Sequence, residues 1–372
     1  MPDLQAAISE PQIIRYLGIK FNAEELSLAE WSMTKLNWKA SNTVTDALYR
    51  ITGMVLVDGM TLDWSFILKV IIPAPETDDP NHYCYWKREP LLYQSGLLKT
   101  LPEPVRAPQC YGVEQGDDGT WRMWLEEITE HSDGPWELPR YGEIAEMLGQ
   151  FNGAYLAGLP LPSEPWLCRG FLQSWTHECD KYDSGIARLE ETWAQSRVKE
   201  LLPEGTFERY LSFCQNRELL LASLQKLPKV LTHNDAWRPN LFPSAGRGLT
   251  MIDWSNCGLA GVGEELGRYY GLSLNADLGA LADKRAFADE MAIRYCEGLR
   301  KAGWYGDDRL AKFGFMASAG TRCGMMFPSL FEQLSRLPET DEVPAKWNER
   351  CTVALHLLEL AEASIEMAGG AT

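Results

Sequence analysis

No apolar run in this 372-residue chain approaches the roughly 20 residues needed to cross a bilayer. The stretch "MPDLQAAISEPQIIRYLGIK" opens with an acid and has neither a basic start nor an apolar core, so it does not read as a signal sequence. The cytoplasm is the expected compartment. There is no C-x-x-C pair, and nine scattered cysteines (Cys84 to Cys351) with five dispersed histidines argue against a disulfide framework or a structural zinc site. Reduced, mostly buried thiols are the expectation. Positive charge is scarce as well. A net charge of −17 disfavours nucleic acid and anionic membrane as partners. Residues 1–150 carry −11 of it and residues 151–372 carry −6, so the charge reads as solubility and does not mark a cationic pocket later in the chain. A G-x-x-x-x-G-K-[ST] loop is missing. "AGVGEELG" has the wrong glycine spacing for a dinucleotide fingerprint and follows a polar loop, so it reads as a loop and the start of a helix.

What is present is an ordinary globular composition, 45% hydrophobic and 23% charged, in a chain long enough for two or more lobes. Two short helices are expected over 4–31, from "SEPQIIRYLG" and "AEELSLAEWSM". The β-rich runs "KLNWKA", "ALYRITGMVLV" and "WSFILKVII" then predict an antiparallel meander. A helix in "YCYWKREPLLYQSGLLKTL" and two further strands, "APQCYGVEQ" and "TWRMWLEEI", complete a first lobe. Beyond it the helical period dominates: "YGEIAEMLGQFNGAYLAG" places Ile144, Met147, Leu148 and Phe151 on one face. The lobe boundary is expected near 127–140, where "EITEHSDGPWELP" breaks the pattern.

Within the helical part, two β-like pieces frame a polar stretch, "LTHNDAWRPNLF" and "LTMIDW". Such a hairpin can bring Asp235, Asn240 and Asp253 to one edge. A carboxylate and an amide oxygen can hold Mg²⁺, which keeps several waters for phosphate groups. The remaining carboxylate can orient a hydroxyl and accept its proton, the division of labour of phosphoryl transfer.

"HNDAWRPNLF" followed by "MIDW" resembles the catalytic and metal-binding segments of the aminoglycoside phosphotransferase/choline kinase family, which read H-G-D-x-x-x-x-N and then I-D-W/F/Y. The resemblance runs from about 37 to 270. It implies an α+β, protein-kinase-like bilobal fold: a five-stranded antiparallel N-lobe sheet over 35–130, preceded by a helical segment over 1–34, and a mainly helical C-lobe over 131–372. It also implies that Asp235 is the catalytic base, that Asn240 and Asp253 are Mg²⁺ ligands, and that His233 supports the loop. A kinase further needs a strand lysine for the nucleotide phosphates and a helical glutamate to position it; Lys69 in "WSFILKVII" and Glu89 in "YWKREPLLYQS" match. "ASNTVTDALYRI" resembles the family's first hairpin, so Ser41, Asn42 and Thr43 would cover the phosphates in place of a glycine-rich turn. "WLEEIT" resembles the strand into the hinge, whose main chain at Glu127 and Ile128 would pair with adenine.

Two departures bear on specificity: Asn234 stands where the family usually has glycine, and Trp237 where it often has a second histidine. The expected activity is transfer of phosphate from ATP, with GTP open, to a hydroxyl of a small molecule. Acids in the helical part (Glu178, Asp180, Asp183, Asp277) would suit an aminoglycoside or a choline-like amine, and apolar groups (Trp304, Met325, Met326, Phe327) a macrolide or another bulky natural product, with antibiotic resistance, biosynthesis and salvage all open as roles. Helical spacing makes core packing the plainer role for the Met and Phe cluster. The alternative class is a nucleotide-binding pseudokinase regulator. The absence of H-R-D, D-F-G and A-P-E argues against a protein kinase.

Overall fold

The alternating stretch around Lys69 sets the architecture. In the computed structural model, which describes residues 8–37, 44–129, 134, 136–181, 186–244, 248–276, 283–338 and 344–369, that stretch is the central strand of a sheet. Helix α1 (Glu10–Phe21) comes first, followed by β1 (Leu26–Lys35), β2 (Thr45–Val57), β3 (Met60–Ile71), α2 (Arg88–Ser95), β4 (Val105–Arg106), β5 (Cys110–Gln115) and β6 (Trp121–Leu125). Five of these strands form one sheet in the spatial order β1-β2-β3-β6-β5, every neighbouring pair antiparallel.

Side chains leave a strand alternately to its two faces. Trp64, Phe66, Leu68 and Val70 of β3 therefore share one face, where they bury against Ile13, Tyr16 and Leu17 of α1. Lys69 leaves by the other. Gly112 on β5 allows α1 to settle this closely, because a Cβ there would lie 2.2 Å from the Tyr16 ring.

One expected helix is a strand. "AEELSLAEWSM" supplies most of β1, so the sheet begins at Leu26 and the boundary expected at 35 falls at its first strand's end. Helix-favouring Ala, Glu and Leu dominate the segment, but Leu26, Leu28, Trp31 and Met33 all pack on the α1 cluster. A register shift between Leu28 and Glu30 breaks the period of two and conceals it in the sequence. Pairing with β2 then overrides local propensity.

The rest is mainly helical: α3 (Leu138–Leu156), α4 (Phe171–Asp180), α5 (Ile186–Trp193), α6 (Ser196–Leu201) and α7 (Thr206–Gln225), then, after four short strands, α8 (Glu264–Ala276), α9 (Lys284–Lys301), α10 (Asp308–Thr321), α11 (Cys323–Ser335) and α12 (Ala345–Gly369). Helices α3 and α9 cross at glycines: a Cβ on Gly149 would lie 2.1 Å from the Tyr295 carbonyl oxygen, and one on Gly298 2.0 Å from that of Glu146. Phe327 is fully buried against Tyr210 and Phe331, and Met326 packs beside that core.

The four short strands carry the polar stretch. β7 (Lys229–Thr232) pairs antiparallel with β10 (Gly258–Gly261), while β8 (Leu241–Ser244) and β9 (Gly248–Met251) form a hairpin that β4 extends by parallel pairing. Ala260 and Gly261 of "AGVGEELG" end β10, and α8 begins at Glu264. Among the described residues no helix is long and apolar enough to cross a membrane.

Candidate active site

Lys69 is 5% exposed, a position that an ammonium group tolerates only with partners. It has two: Glu89 Oε2 at 2.6 Å and Asp253 Oδ1 at 2.7 Å. Burial acts to push its pKa down, but the two carboxylates outweigh it and hold the ammonium above the ordinary lysine range. Burial raises Glu89, against the pull of Lys69. Asp253 is also opposed by burial, yet Lys69 keeps it below the usual aspartate range. Glu89 accepts from the Trp254 amide as well (3.3 Å), so α2 and the segment after β9 are tied through the same carboxylate.

Beside Glu89, Arg88 is fully buried and donates to five backbone carbonyls: Pro80, His82, Tyr83, Trp166 and Ser255. It binds α2 to the loop before it and to both flanking segments of the helical half. Sequence reasoning singled out Glu89 and passed over its neighbour.

Asp235 follows β7 on a loop held from below. The His233 amide donates to Glu265 Oε1 (2.6 Å), as does that of Asn234 (3.2 Å). Asn234 adopts φ +61°, a conformation that asparagine tolerates better than most residues and that suits the glycine expected there. Glu265 is completely buried, and burial raises its carboxyl to about 7. Asn152 Nδ2 donates to Glu265 and to the Leu231 carbonyl, and Tyr295 donates to Asn152 Oδ1. The signal for this scaffold lay in "GVGEELG", where two acids sit among glycines and apolar residues.

His233 uses both ring nitrogens: Nε2–H donates to the Ile252 carbonyl (2.9 Å), and Nδ1 accepts from the Asp235 amide (3.2 Å). Burial pushes its pKa down, which keeps the ring neutral in that tautomer. Asp235 itself is bracketed. Oδ2 accepts from Asn240 Nδ2 (3.0 Å), and Oδ1 from Arg268 Nη2 (3.2 Å), an arginine that also reaches the Asn234 carbonyl. Arg268 was not anticipated from the sequence.

Lys69, Glu89, Asp235, Asn240 and Asp253 line one cavity of about 510 Å³ between sheet and helical half, and Glu127 and Ile128 lie on the same wall. Leu48, Ile67, Leu125 and Ile252 give it an apolar lining suited to a purine ring, and Arg50 pairs with Glu127 at 2.6 Å. Trp237 also lines it, whereas Arg238 turns to the Trp136 ring and the Gly134 carbonyl. Ser41, Asn42 and Thr43 lie outside the described residues.

The donor set fits a hard cation. Asn240 spends its amide nitrogen on Asp235, which leaves its oxygen as the donor, and Asp253 adds a carboxylate. Among the described residues no three His, Cys, Asp or Glu side chains form a metal cage. An ion here would take two protein ligands and complete its shell with water and phosphate, the habit of Mg²⁺.

A family model described as "Phosphotransferase enzyme family" matches residues 91–305, which include Asp235, Asn240 and Asp253 but not Lys69 or Glu89. Among curated proteins no sequence matches. Among solved structures, an amicoumacin kinase in complex with AMP-PNP, Ca²⁺ and its ligand superposes with TM-score 0.51 at 14% identity, covering 97% of this chain and 95% of that one. Choline kinase from Cryptosporidium parvum gives 0.51 at 11% identity, covering 96% and 97%. Plasmodium vivax ethanolamine kinase gives 0.50 at 11% identity, covering 87% and 81%. The fold is that of these kinases.

Proposed function

This chain belongs to the phosphotransferase enzyme family, and from that premise we propose that it is an ATP- and Mg²⁺-dependent kinase that phosphorylates a hydroxyl group of a small molecule. The observation that carries the reading is the convergence of Lys69, Glu89, Asp235, Asn240 and Asp253 on one cavity from four separate stretches of chain.

The purine of the nucleotide would occupy the apolar end, against Glu127 and Ile128. Lys69, held by Glu89, would face the donor phosphates. Asn240 and Asp253 would hold Mg²⁺, whose charge offsets that of the phosphates. Asp235 aligns the acceptor hydroxyl: as the acceptor oxygen bonds to the γ-phosphorus, the bond to the β-bridging oxygen breaks, ADP leaves and the proton passes to Asp235. Catalysis in such a site is positioning plus charge stabilisation. A regulator that only binds nucleotide would have no use for an aspartate bracketed by Asn240 and Arg268 beside the metal ligands.

The test is ATP and GTP consumption with a panel of hydroxylated metabolites and antibiotics, read by mass gain of one phosphate. Replacing Asp235→Ala should lower kcat about 10²–10⁴-fold, the range of general acid–base effects, with the fold intact by circular dichroism. An undiminished rate in that variant removes Asp235 from the role.

A further inference from the structure

Arg322, at the junction of α10 and α11, is 4% exposed, and its Nε and Nη1 are buried with no hydrogen-bond partner among the described residues. Its stem lies against Gly271 of α8, where a Cβ would come within 2.3 Å of Cδ and 2.8 Å of Nε. Gly271 is three residues on from Arg268 and therefore on the same helix face. The two guanidinium groups meet one ring: Arg268 and Arg322 stand 5.5 and 5.6 Å from the Trp175 centroid, and Arg268 is 5.2 Å from that of Phe171.

Arg268 spends its charge on Asp235 and the Asn234 carbonyl. Among the described residues Arg322 has no such partner. Burial and the like charge of Arg268 push its pKa down to about 9, opposed in part by Asp235 and Cys179. Arginine keeps its proton in proteins, so this is a buried cation held at a large cost. Two guanidinium groups against one carboxylate leave the cluster one negative charge short.

Of the four acids expected to serve a cationic acceptor, the two among the described residues are already engaged. Asp180 is bidentate on Arg217 (2.7 and 2.6 Å), and Glu178 pairs with Lys181 and lies 3.5 Å from His82. Asp183 and Asp277 lie outside the described residues.

We propose that the acceptor carries a carboxylate, which binds Arg322 beside Arg268 and Trp175 while its hydroxyl meets Asp235; the enzyme is a kinase of a hydroxy acid. A planar carboxylate matches the guanidinium donors, and its single charge is the one the cluster lacks. The acceptor class rests on the phosphotransferase reading above, but carboxylate binding can be measured without turnover.

The full-length protein is tested with Mg·ATP on hydroxy acids paired with their primary amides (glycolate, D-glycerate, L-homoserine and shikimate), with choline and kanamycin as cationic arms. Transfer is read by mass and binding by ligand-detected NMR. Acids should bind and react at least about tenfold better than their amides, as befits a charge-assisted hydrogen bond. Arg322→Met should erase that preference and raise Tm, because it removes an unpaired buried charge; an arginine with a merely structural role would lower Tm instead. Arg322→Lys should fold and keep part of the preference. The proposal is overturned if amides match acids, if choline or kanamycin is preferred, or if Arg322→Met discriminates like the wild type. Failure of every acceptor together with loss of Mg²⁺-dependent nucleotide binding sinks the kinase reading instead, and leaves the NMR comparison of acid with amide to decide the carboxylate site.

Discussion

Lys69 and Glu265 show how buried charge is tolerated here. Lys69 sits between two carboxylates and stays charged. Among the described residues Glu265 has only neutral donors: two backbone amides and Asn152. Burial therefore raises its carboxyl from 4.5 to about 7, so the folded protein holds that proton more tightly than the unfolded chain. The stability this contributes is fully present below about pH 4.5 and is lost as pH rises through about 7. Glutamine at 265 carries no such proton but sets an amide nitrogen against the Asn152 donor. Glu265→Gln should thus be less stable than the wild type at pH 5, with the gap narrowing toward pH 8. Urea denaturation across that range checks it; a constant gap would show that Glu265 does not titrate there.

At the scale of elements, two fittings position the chemistry. Arg88 ties α2 to the helical half through carbonyls, so Glu89 reaches Lys69 from a fixed helix. Across the sheet, Gly112 lets Tyr16 of α1 lie close against β5. Gly112→Ala should destabilise the fold by about 1–3 kcal/mol, the usual cost of overpacking, measured by chemical denaturation. Shortening Tyr16 in the same chain should recover part of it, because neighbours that share a clash are not additive. Elements were legible where the period was clean. The β-rich run "WSFILKVII" put Lys69 on a strand, and the two β-like pieces framing "HNDAWRPNLF" put Asp235, Asn240 and Asp253 at one edge. β1 was misread because a bulge shifts the phase of its apolar residues in a helix-favouring composition.

Across the whole molecule, the inner side of the sheet, α2 and the helical half share one continuous apolar cluster, in which Ile71, Leu92, Met123 and Leu125 meet Ile144, Leu148 and Trp254. The cavity that Lys69 and Asp235 line is formed from both sides of this junction, so a ligand there bridges the two halves. Mg·ATP at a hundred times its Kd should add about 2.7 kcal/mol to unfolding free energy, and Asp253→Asn should remove the Mg²⁺-dependent part. Thermal unfolding with nucleotide, with and without Mg²⁺, measures both; no difference between the variant and the wild type would exclude Asp253 as a ligand.

The order and spacing of Asp235, Asn240 and Asp253, and the strand face of Lys69, were determined by the sequence alone. They depend on loop length and side-chain period, which are properties of contiguous residues. Glu265 beneath the loop that carries Asp235, Arg88 across the lobes, and Arg268 and Arg322 on one tryptophan beside Asp235 were decided only in the tertiary structure. The partners that join them across the fold lie between 31 and 167 residues away, and only the packing of whole helices determines which charges meet and which stay unmatched.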